Sequence, residues 1–531
     1  MILRTAHHRP MIIQGGMGVG VSSWQLASTV ARAGQLGVVS GTALDTVLVR
    51  RLQDGDPGGH VHRALEDFPL PEVAERVLAR YFRPEGRGGA PYAPLPSMGL
   101  RPNRMTTEAA VVGNFVEVWL AKEGHGGWIG INFLEKIQLA TPPAAYGAML
   151  AGVDAVLMGA GIPRQIPALL DALSEQRPGS VDVEVAGTEP QPLTLDPASL
   201  GGDRLPALPR PMFLAIISSH VLGAYLCRED TTRPDGFVVE GPIAGGHNAP
   251  PRGKLVLGET GEPVYGPRDE ANLAAVQRIG LPFWLAGGYG EPEKVCAALD
   301  AGASGVQVGT LFALARESGM AGPLRLQLLD DLRKGTLRVS TNPSASPTGF
   351  PFKVAHLEGS LSQPEVYEAR PRLCDLSYLR EVYSRPDGTL GYRCPAEPID
   401  MYLRKGGDPA RTEGAVCLCN ALMADVAQGQ RRRDGYLEPP LVTLGADLVG
   451  ARRLDSEHWL HGGRPDGWSA QDVITWLLRE VTAQRASLTT ATAGATATAG
   501  ATATAGATAE AGTAVGSGTG SGTAAGAGPG A

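Results

Sequence analysis

The stretch at positions 241–250, Gly-Pro-Ile-Ala-Gly-Gly-His-Asn-Ala-Pro, places a histidine directly after two glycines, behind an apolar run. Gly245 and Gly246 lack a Cβ atom, so the backbone there can approach a flat ligand closely. Imidazole is the side chain whose ordinary pKa suits proton transfer near neutrality, which makes His247 a candidate catalytic group. A glycine turn followed by a capping or surface histidine is the alternative interpretation of the same residues.

Two later apolar runs also end in small residues. Gly287–Gly288 ends one run, and Gly309–Thr310 ends the next one along the chain. Backbone N–H groups at such turns, with a helix N-terminus behind them, bind a phosphate without needing a cation. Parallel strands also end in glycine for turn geometry alone, but two adjacent strand ends of this kind favour a phosphate site.

The first apolar run of the chain is also followed by residues that could contact a ligand. Gly15, Gly16 and Met17 offer a further backbone-lined edge there. Asn132, at the end of the third run, offers an amide that both donates and accepts hydrogen bonds. Together with His247 and the two phosphate turns, these residues would surround a ligand with a phosphate at one end and a planar, hydrogen-bonding ring at the other. Flavin mononucleotide (FMN) matches that description.

Eight strand-like runs alternate with helical patterns and would position these residues. They lie at 11–17, 34–41, 128–133, 155–160, 212–218, 236–240, 282–288 and 305–309. This alternation predicts an α/β fold, a (β/α)8 TIM barrel, whose sites lie at the C-terminal strand ends and whose phosphates are commonly held after strands seven and eight. A doubly wound sheet fits less well, because Gly16-Met-Gly18-Val-Gly20 lacks the final glycine of a dinucleotide-binding turn.

The remaining segments divide the chain. Residues 1–352 are predicted to form the barrel, with a charged, Pro- and Gly-rich insertion after the second strand at 43–127. Residues 353–486 form a C-terminal extension that contains most of the cysteines and is predicted to be helical or irregular. Residues 487–531 are almost wholly Ala, Thr and Gly, so they cannot bury a core and are predicted to be disordered.

Composition narrows the class of partner. The chain has 531 residues and a formal net charge of −7, without a basic stripe, which argues against nucleic acid as the main partner. Neither a signal peptide nor an apolar run long enough to span a membrane is recognisable. The six cysteines are too few and too scattered for a disulfide framework, so we expect a cytoplasmic protein with reduced thiols.

Four cysteines of the C-terminal extension raise the question of a metal. Cys374, Cys394, Cys417 and Cys419 would suffice for a four-thiolate zinc or iron–sulfur site. Their spacings are irregular, and only the Cys417–Cys419 pair is tight. We therefore interpret them as buried, inert thiols and predict no metal.

Several motifs, in this order, resemble the nitronate monooxygenase family, formerly the 2-nitropropane dioxygenases. They are IIQGGMGVGVS, GIN, EGPIAGGHNAP, LAGGYG and VQVGT, and the resemblance covers roughly residues 10–352. The FMN-dependent enoyl-acyl-carrier-protein reductases share this barrel. SPTGFPFK (346–353) and CLCN (417–420) look like a longer subgroup, which is also similar to the enoyl reductase components of polyunsaturated fatty acid and polyketide synthases.

The resemblance implies roles for individual residues. His247 matches the active-site histidine, a base or hydrogen-bond donor at the substrate, and Gly245 and Gly246 allow close approach beside it. The FMN phosphate site is matched by Gly287, Gly288, Gly309 and Thr310. Contacts to the flavin ring and ribityl chain are matched by Gly15, Gly16, Met17, Asn132 and Gln307. Characterised monooxygenases usually have a glycine soon after the histidine, whereas Asn-Ala-Pro-Pro-Arg follows it here.

Three functions are compatible with these residues. The first is an FMN-dependent oxidoreductase, a flavoprotein that oxidises nitronates or nitroalkanes with O2 to a carbonyl compound and nitrite. The second is an enoyl-thioester reductase of fatty acid or polyketide biosynthesis that uses NAD(P)H. The third is a non-catalytic barrel within a biosynthetic complex, against which the intact His247 and both phosphate turns weigh. Homodimerisation is also left open.

Overall fold

The computed structural model describes residues 9–484, and eight short parallel strands form its centre. The strands are β1 Ile12–Gln14, β2 Gly37–Ser40, β3 Ile129–Leu134, β4 Ala155–Gly159, β5 Met212–Ile217, β6 Gly236–Glu240, β7 Phe283–Ala286 and β8 Gly305–Val308. Each strand pairs with its neighbour in chain order from β2 to β8, and β8 pairs with β1. The predicted strand positions are therefore confirmed.

The sheet closes between its first two strands. Ile13 and Leu36 form a parallel bridge there. The Gln14 N–H donates to the Leu36 carbonyl at 3.0 Å, and the Leu36 N–H donates to the Ile12 carbonyl at 3.1 Å. These contacts complete a (β/α)8 barrel, as the alternation of strands and helices predicts.

The barrel interior is apolar because its strands are runs of Val, Ile, Leu and Phe that are covered on both faces. One cluster joins buried side chains from most of the strands, including Ile13, Val38, Leu157 and Trp284. The Trp284 indole N–H donates to the Pro10 carbonyl at 2.8 Å, so the polar atom of this buried ring is satisfied. Packing of this kind fills the barrel below its C-terminal strand ends.

Helices surround the barrel and fill the insertion after β2. In chain order they are α1 Trp24–Arg32, α2 Leu44–Gln53, α3 His60–Glu66, α4 Pro71–Tyr81, α5 Arg104–Lys122, α6 Thr141–Leu150, α7 Ile166–Ser174, α8 His220–Leu226, α9 Leu273–Gln277, α10 Pro292–Asp300, α11 Thr310–Ala313 and α12 Gly322–Lys334. Helices α2 to α5 lie within the predicted insertion at 43–127. Helix α4 is an amphipathic segment that begins with proline, whose fixed φ suits the first turn of a helix.

Further strand pairs lie outside the barrel in the described chain, including a short parallel pair of Val185–Ala186 with Glu381–Ser384. Gly179–Val183 pairs antiparallel with Gln191–Leu195 inside a stretch that looks like a mere connection in the sequence. Strands β9 (Arg338–Asn342) and β10 (Phe352–His356) pair antiparallel and flank a loop at 343–351. Glu381–Ser384 pairs with Leu390–Arg393 across an Asp-Gly turn, so the C-terminal extension is not solely helical or irregular.

The C-terminal extension continues with helices α13 Pro364–Ala369, α14 Ile399–Arg404, α15 Leu418–Ala424 and α16 Val449–Leu460. Residues up to Arg479 form one compact unit, which includes the barrel, and a second unit begins at Glu480. The boundary predicted after residue 352 stays a prediction. The predicted tail at 487–531 lies outside the described residues. Within residues 9–484, no helix is long and apolar enough to cross a membrane.

Candidate active site

A cavity of about 240 Å³ lies at the C-terminal ends of the barrel strands. All the residues singled out in the sequence line it, although they come from five different strand ends and their loops. They are Gly15, Gly16, Met17, Asn132, Gly245, Gly246, His247, Gly287, Gly288, Gln307, Gly309 and Thr310. The structure therefore brings the predicted site together, while the individual binding roles stay predictions.

The turns after β7 and β8 present free backbone donors to this cavity. Gly287 and Gly288 have φ angles of +83° and +84°, in the left-handed region that favours glycine. In the described part of the chain, the N–H groups of Gly287, Gly288 and Gly309 make no backbone hydrogen bond. The Thr310 hydroxyl oxygen accepts the Gly445 N–H at 2.9 Å, which leaves its hydrogen free to donate. Such a set of donors suits an anion.

Buried polar side chains fix the loop after β1. The Gln14 amide donates to Ser22 Oγ at 2.8 Å and accepts the Val38 N–H at 3.0 Å. Ser22 Oγ in turn accepts the Met17 N–H at 2.8 Å and donates to the Gly15 carbonyl at 2.7 Å. These bonds hold the backbone of residues 15–17 against the cavity without a regular secondary structure.

Close packing against Asn132 explains why position 16 is occupied by glycine. A Cβ atom at this position would lie 2.2 Å from Asn132 Cβ, so any side chain would displace the asparagine. Gln307 lies on β8, and its Oε1 atom is buried without a hydrogen-bond partner among the described residues. An orphaned amide oxygen in a cavity wall is a site for a donor on a ligand.

His247 is half-buried at the end of the β6 loop, where its Nε2 atom lies 2.7 Å from Ser346 Oγ. Its ring packs edge-on against Phe352, with centroids 4.9 Å apart. Burial lowers the pKa of the imidazole to about 4, so the ring is neutral near pH 7. His247 therefore faces the cavity as a neutral group, not as a cation.

Glu240 is a cavity residue that the sequence analysis does not single out. It is the last residue of β6, in the same motif as His247, and burial raises the pKa of its carboxyl to about 8. The signal in the sequence is an acidic residue that ends an apolar strand. At neutral pH this side chain is therefore mainly a neutral carboxylic acid.

The charge of the cavity is unusual for a phosphate site. In the described chain no lysine or arginine lines it, and its titratable side chains are Glu240, His247, Tyr289 and Asp447. Asp447 is paired at 2.8 Å with Lys294, whose ammonium group also contacts Glu291. Anion binding here would depend on backbone N–H groups and on neutral donors.

A segment of the C-terminal extension completes the cavity. We name residues 443–447 the closing segment. Thr443 Oγ1 accepts the Gly246 N–H at 2.8 Å, and the Ala446 N–H donates to the Ile243 carbonyl at 2.9 Å. Thr443, Gly445 and Asp447 line the cavity, and nothing in the sequence pattern indicates this. The barrel alone would leave one wall open.

The four cysteines of the extension lie apart from this cavity. Cys394 and Cys417 are buried in one small cluster with Cys419 packed against it, and Cys374 is exposed. Burial raises the pKa of the Cys394 and Cys419 thiols, which disfavours reactive thiolates. Among the described residues, no group of three or more His, Cys, Asp or Glu side chains is arranged to hold a metal ion. The absence of a metal stays a prediction.

The pKa of Glu240 leads to a testable pH dependence. Above pH 8 the carboxyl ionises, and its negative charge disfavours an anionic substrate in a cavity that no cation lines. If the substrate is an anion such as a nitronate, which the sequence motifs imply, we expect the ratio of kcat/KM of Glu240→Gln to that of the wild type to rise as pH increases from 7 to 9. Taking the ratio at each pH cancels titration of the substrate. A ratio that stays constant over this range would contradict the assignment.

A protein-family comparison matches the part of the chain that contains His247 and the turns after β7 and β8. Residues 213–342 match the family model of nitronate monooxygenase, which confirms the resemblance for this part of the chain. No curated protein sequence shows significant similarity to the chain. Together with the barrel and the cavity, the family match supports an oxidoreductase.

The solved structures that are similar to this chain share little sequence identity with it. Nitroalkane oxidase from Streptomyces ansochromogenes is 17% identical, with a TM-score of 0.44 over 90% of this chain and 97% of that one. FabK from Thermotoga maritima is 15% identical, with a TM-score of 0.44 over 90% and 95%. The enoyl reductase domain of MlnA from the macrolactin biosynthesis cluster of Bacillus amyloliquefaciens is 12% identical, with a TM-score of 0.41 over 90% and 97%.

Proposed function

We propose that the protein is an FMN-dependent oxidoreductase of the nitronate monooxygenase type, which oxidises nitronates or nitroalkanes with O2 to a carbonyl compound and nitrite. One observation carries this proposal: His247 and the free N–H groups of the β7 and β8 turns line the same cavity. This combination suits a ligand with a phosphate at one end and a reacting ring at the other. The family match over residues 213–342 supports the same class.

The phosphate end of FMN fits the donors at the β7 and β8 turns. The amides of Gly287, Gly288 and Gly309, with the Thr310 hydroxyl, would hold the phosphate oxygens. At this end a cationic side chain is not required, because several backbone dipoles converge on one anion. A noncovalent phosphate site of this kind predicts a cofactor that dissociates on mild denaturation.

The flavin ring of FMN would lie against the loop after β1. The orphaned Oε1 of Gln307 can accept a flavin N–H, and the backbone of Gly15, Gly16 and Met17 offers a flat edge. Asn132 stands behind Gly16 and adds an amide to the same wall. When bound, FMN supplies the electron-accepting ring and the reaction with O2.

The chain's own residues would bind and orient the substrate. His247 is neutral at pH 7 and can form a hydrogen bond to the oxygen of a nitronate or take a proton from a nitroalkane. Glu240 stays mainly protonated at neutral pH and does not repel an anion there. The closing segment covers one side of the cavity and would limit the access of water to a bound substrate.

A second candidate is an enoyl-thioester reductase that uses NAD(P)H, and an exposed hairpin favours it. In the connection between β6 and β7, which follows His247, four apolar side chains are exposed by about half: Leu255, Val256, Leu257 and Val264. The Val264 N–H donates to the Val256 carbonyl at 2.9 Å, which makes this a built hairpin. An exposed apolar edge in the loop that follows His247 would suit an acyl chain or a carrier partner.

Anaerobic reduction of the bound flavin separates these candidates. We expect the purified protein to be yellow with noncovalent FMN, and its absorbance to bleach with propane-2-nitronate. Rapid bleaching by NADH or NADPH, followed by re-oxidation with an enoyl thioester, would instead support the reductase. A folded protein that takes up no FMN on reconstitution would contradict both, and flavin that no reagent reduces would favour a non-catalytic barrel.

A further inference from the structure

A hydroxyl side chain from a distant part of the sequence contacts the candidate catalytic histidine. Ser346 lies 99 residues after His247, and its Oγ atom is 2.7 Å from His247 Nε2. Ser346 is buried in the loop at 343–351 between β9 and β10. Because His247 is neutral, one of its ring nitrogens carries a hydrogen and the other accepts one. The direction of the hydrogen bond to Ser346 determines which ring nitrogen is the donor and which is the acceptor.

The backbone ties this loop to the histidine. The Asn248 N–H donates to the Pro351 carbonyl at 2.8 Å, and the Lys353 N–H donates to the Gly246 carbonyl at 2.9 Å. These two bonds flank His247 on both sides, and Phe352 packs against its ring. Backbone pairing therefore holds the end of this loop against the segment that carries His247, which keeps Ser346 within reach of the imidazole.

A second hydroxyl sets the direction of the hydrogen bond. Thr348 Oγ1 lies 2.8 Å from Ser346 Oγ. Thr348 Oγ1 also accepts the Phe350 N–H at 3.3 Å, and Ser346 Oγ accepts the Thr348 N–H at 3.3 Å. In the described structure, Ser346 Oγ is the one side-chain acceptor within reach of the Thr348 hydroxyl hydrogen.

Counting hydrogens gives one assignment in which every group is satisfied within the protein. If Thr348 donates to Ser346, the hydrogen of the Ser346 hydroxyl points to His247 Nε2. In the reverse direction the hydroxyl of the half-buried Thr348 has only solvent to donate to. The protein's own hydrogen bonds therefore favour His247 Nε2 as the acceptor, with the hydrogen of the neutral ring on Nδ1. No hydrogen bond within the described chain occupies Nδ1, so it is free for a substrate.

We propose that Ser346 is a positioning residue that holds His247 as the Nδ1–H tautomer, so that the ring donates a hydrogen bond to an anionic substrate oxygen and does not act as a base. This inference rests on the proposed function for the identity of the anion, which is a nitronate. It follows that a preformed nitronate is a good substrate and the neutral nitroalkane a poor one. The Thr348 hydroxyl supports Ser346 in the same role.

The first test measures the tautomer directly and needs neither substrate nor flavin turnover. Protein labelled with ¹⁵N-histidine is examined by long-range ¹H–¹⁵N correlation NMR at pH 7, and His247 is assigned by the signal lost in His247→Asn. We expect a protonated Nδ1 and an unprotonated Nε2 in the wild type. In Ser346→Ala we expect this pattern to change to a mixture of tautomers. A protonated Nε2 in the wild type would overturn the proposal.

Three further variants serve as controls for the NMR measurement of the His247 tautomer. Ser344→Ala changes an exposed serine in the same loop and should leave the His247 signals unchanged. Ser346→Thr keeps a hydroxyl and should restore the wild-type pattern if it folds. If Ser346→Ala itself fails to fold, Thr348→Val tests the same chain of hydroxyls from one step further away, and an unchanged His247 pattern in that variant would count against the proposal.

The second test uses turnover. We expect Ser346→Ala to lower kcat/KM for propane-2-nitronate about fivefold, the scale of one neutral hydrogen bond, and Ser346→Thr to recover most of it. Wild-type activity on 2-nitropropane, measured before it ionises, should be much lower than on its nitronate. Equal activity on both would overturn the donor role. If neither compound is a substrate, the proposed function fails while the tautomer measurement still stands on its own.

Discussion

Replacing His247 with alanine is expected to lower the rate of substrate-dependent flavin reduction about 10²-fold, the usual scale for losing a positioned acid, base or oxyanion donor. FMN should remain bound, because the imidazole is replaced by a smaller group and the donors of the β7 and β8 turns are untouched. Anaerobic stopped-flow absorbance gives the rate, and flavin content after gel filtration gives the occupancy. His356→Ala, an exposed histidine on β10, serves as the control and should behave like the wild type.

Two amide substitutions at this position identify the atom that matters. The asparagine amide reaches the place of the imidazole Nδ1, whereas the longer glutamine amide reaches that of Nε2. If Nδ1 donates to the substrate, His247→Asn should retain more of the rate than His247→Gln. If the histidine instead removes a proton, neither amide can replace it and both variants should be as slow as His247→Ala. Normal turnover in His247→Ala would show that His247 is a turn residue.

Gly287→Ala is expected to weaken FMN binding about tenfold or more and also to destabilise the folded apoprotein. At a φ of +83°, a residue other than glycine costs roughly 1–2 kcal/mol. The new Cβ atom would also lie 3.1 Å from the Gly241 carbonyl oxygen and 3.2 Å from the Ala244 nitrogen. The turn must then shift, and its N–H donors shift with it. Each 1.4 kcal/mol of lost binding energy is tenfold in Kd.

A nearby glycine provides the control for this substitution. Gly290 has no positive φ, and a Cβ atom there would make ordinary contacts at 3.7 Å with Leu311. Titration of apoprotein with FMN, followed by quenching of flavin fluorescence, gives Kd for both variants. Thermal unfolding of the apoproteins reports any general loss of stability. An unchanged Kd in Gly287→Ala would mean that this turn does not hold the phosphate.

The barrel can be predicted from the sequence because its signals are local. Each strand is a short apolar run that ends at a glycine or a polar residue, and the helices between them have regular apolar spacing. The hairpin of Gly179–Val183 with Gln191–Leu195 is missed because each strand has only five residues and the surrounding stretch is rich in proline and charge. The loop at 343–351 is found, but not the strand pairing that brings it to the histidine.

Some residues of the candidate site can likewise be predicted from the sequence, and others cannot. The glycine turns and His247 are contiguous motifs, so their chemistry can be read directly from neighbouring residues. Ser346 contacts His247 from 99 residues further along the chain, and Thr443 contacts Gly246 from 197 residues further along. No local pattern in the sequence marks either residue. Glu240 belongs to a recognised motif, yet its raised pKa depends on burial by the assembled barrel. Local patterns therefore do not reveal the long-range contacts that set the position and the pKa of the side chains in the motif.

The closing segment has a consequence for the order in which the protein matures. A ribosome makes the chain from its N-terminus, and the eight barrel strands emerge more than 130 residues before residue 443. Gly445 joins Thr310 across 135 residues of sequence, so the wall that it supplies is absent while the nascent barrel folds. Cofactor capture thus belongs to the late stage of biosynthesis: the barrel can form during translation, and the complete cavity exists once the extension has been synthesised and has folded onto it.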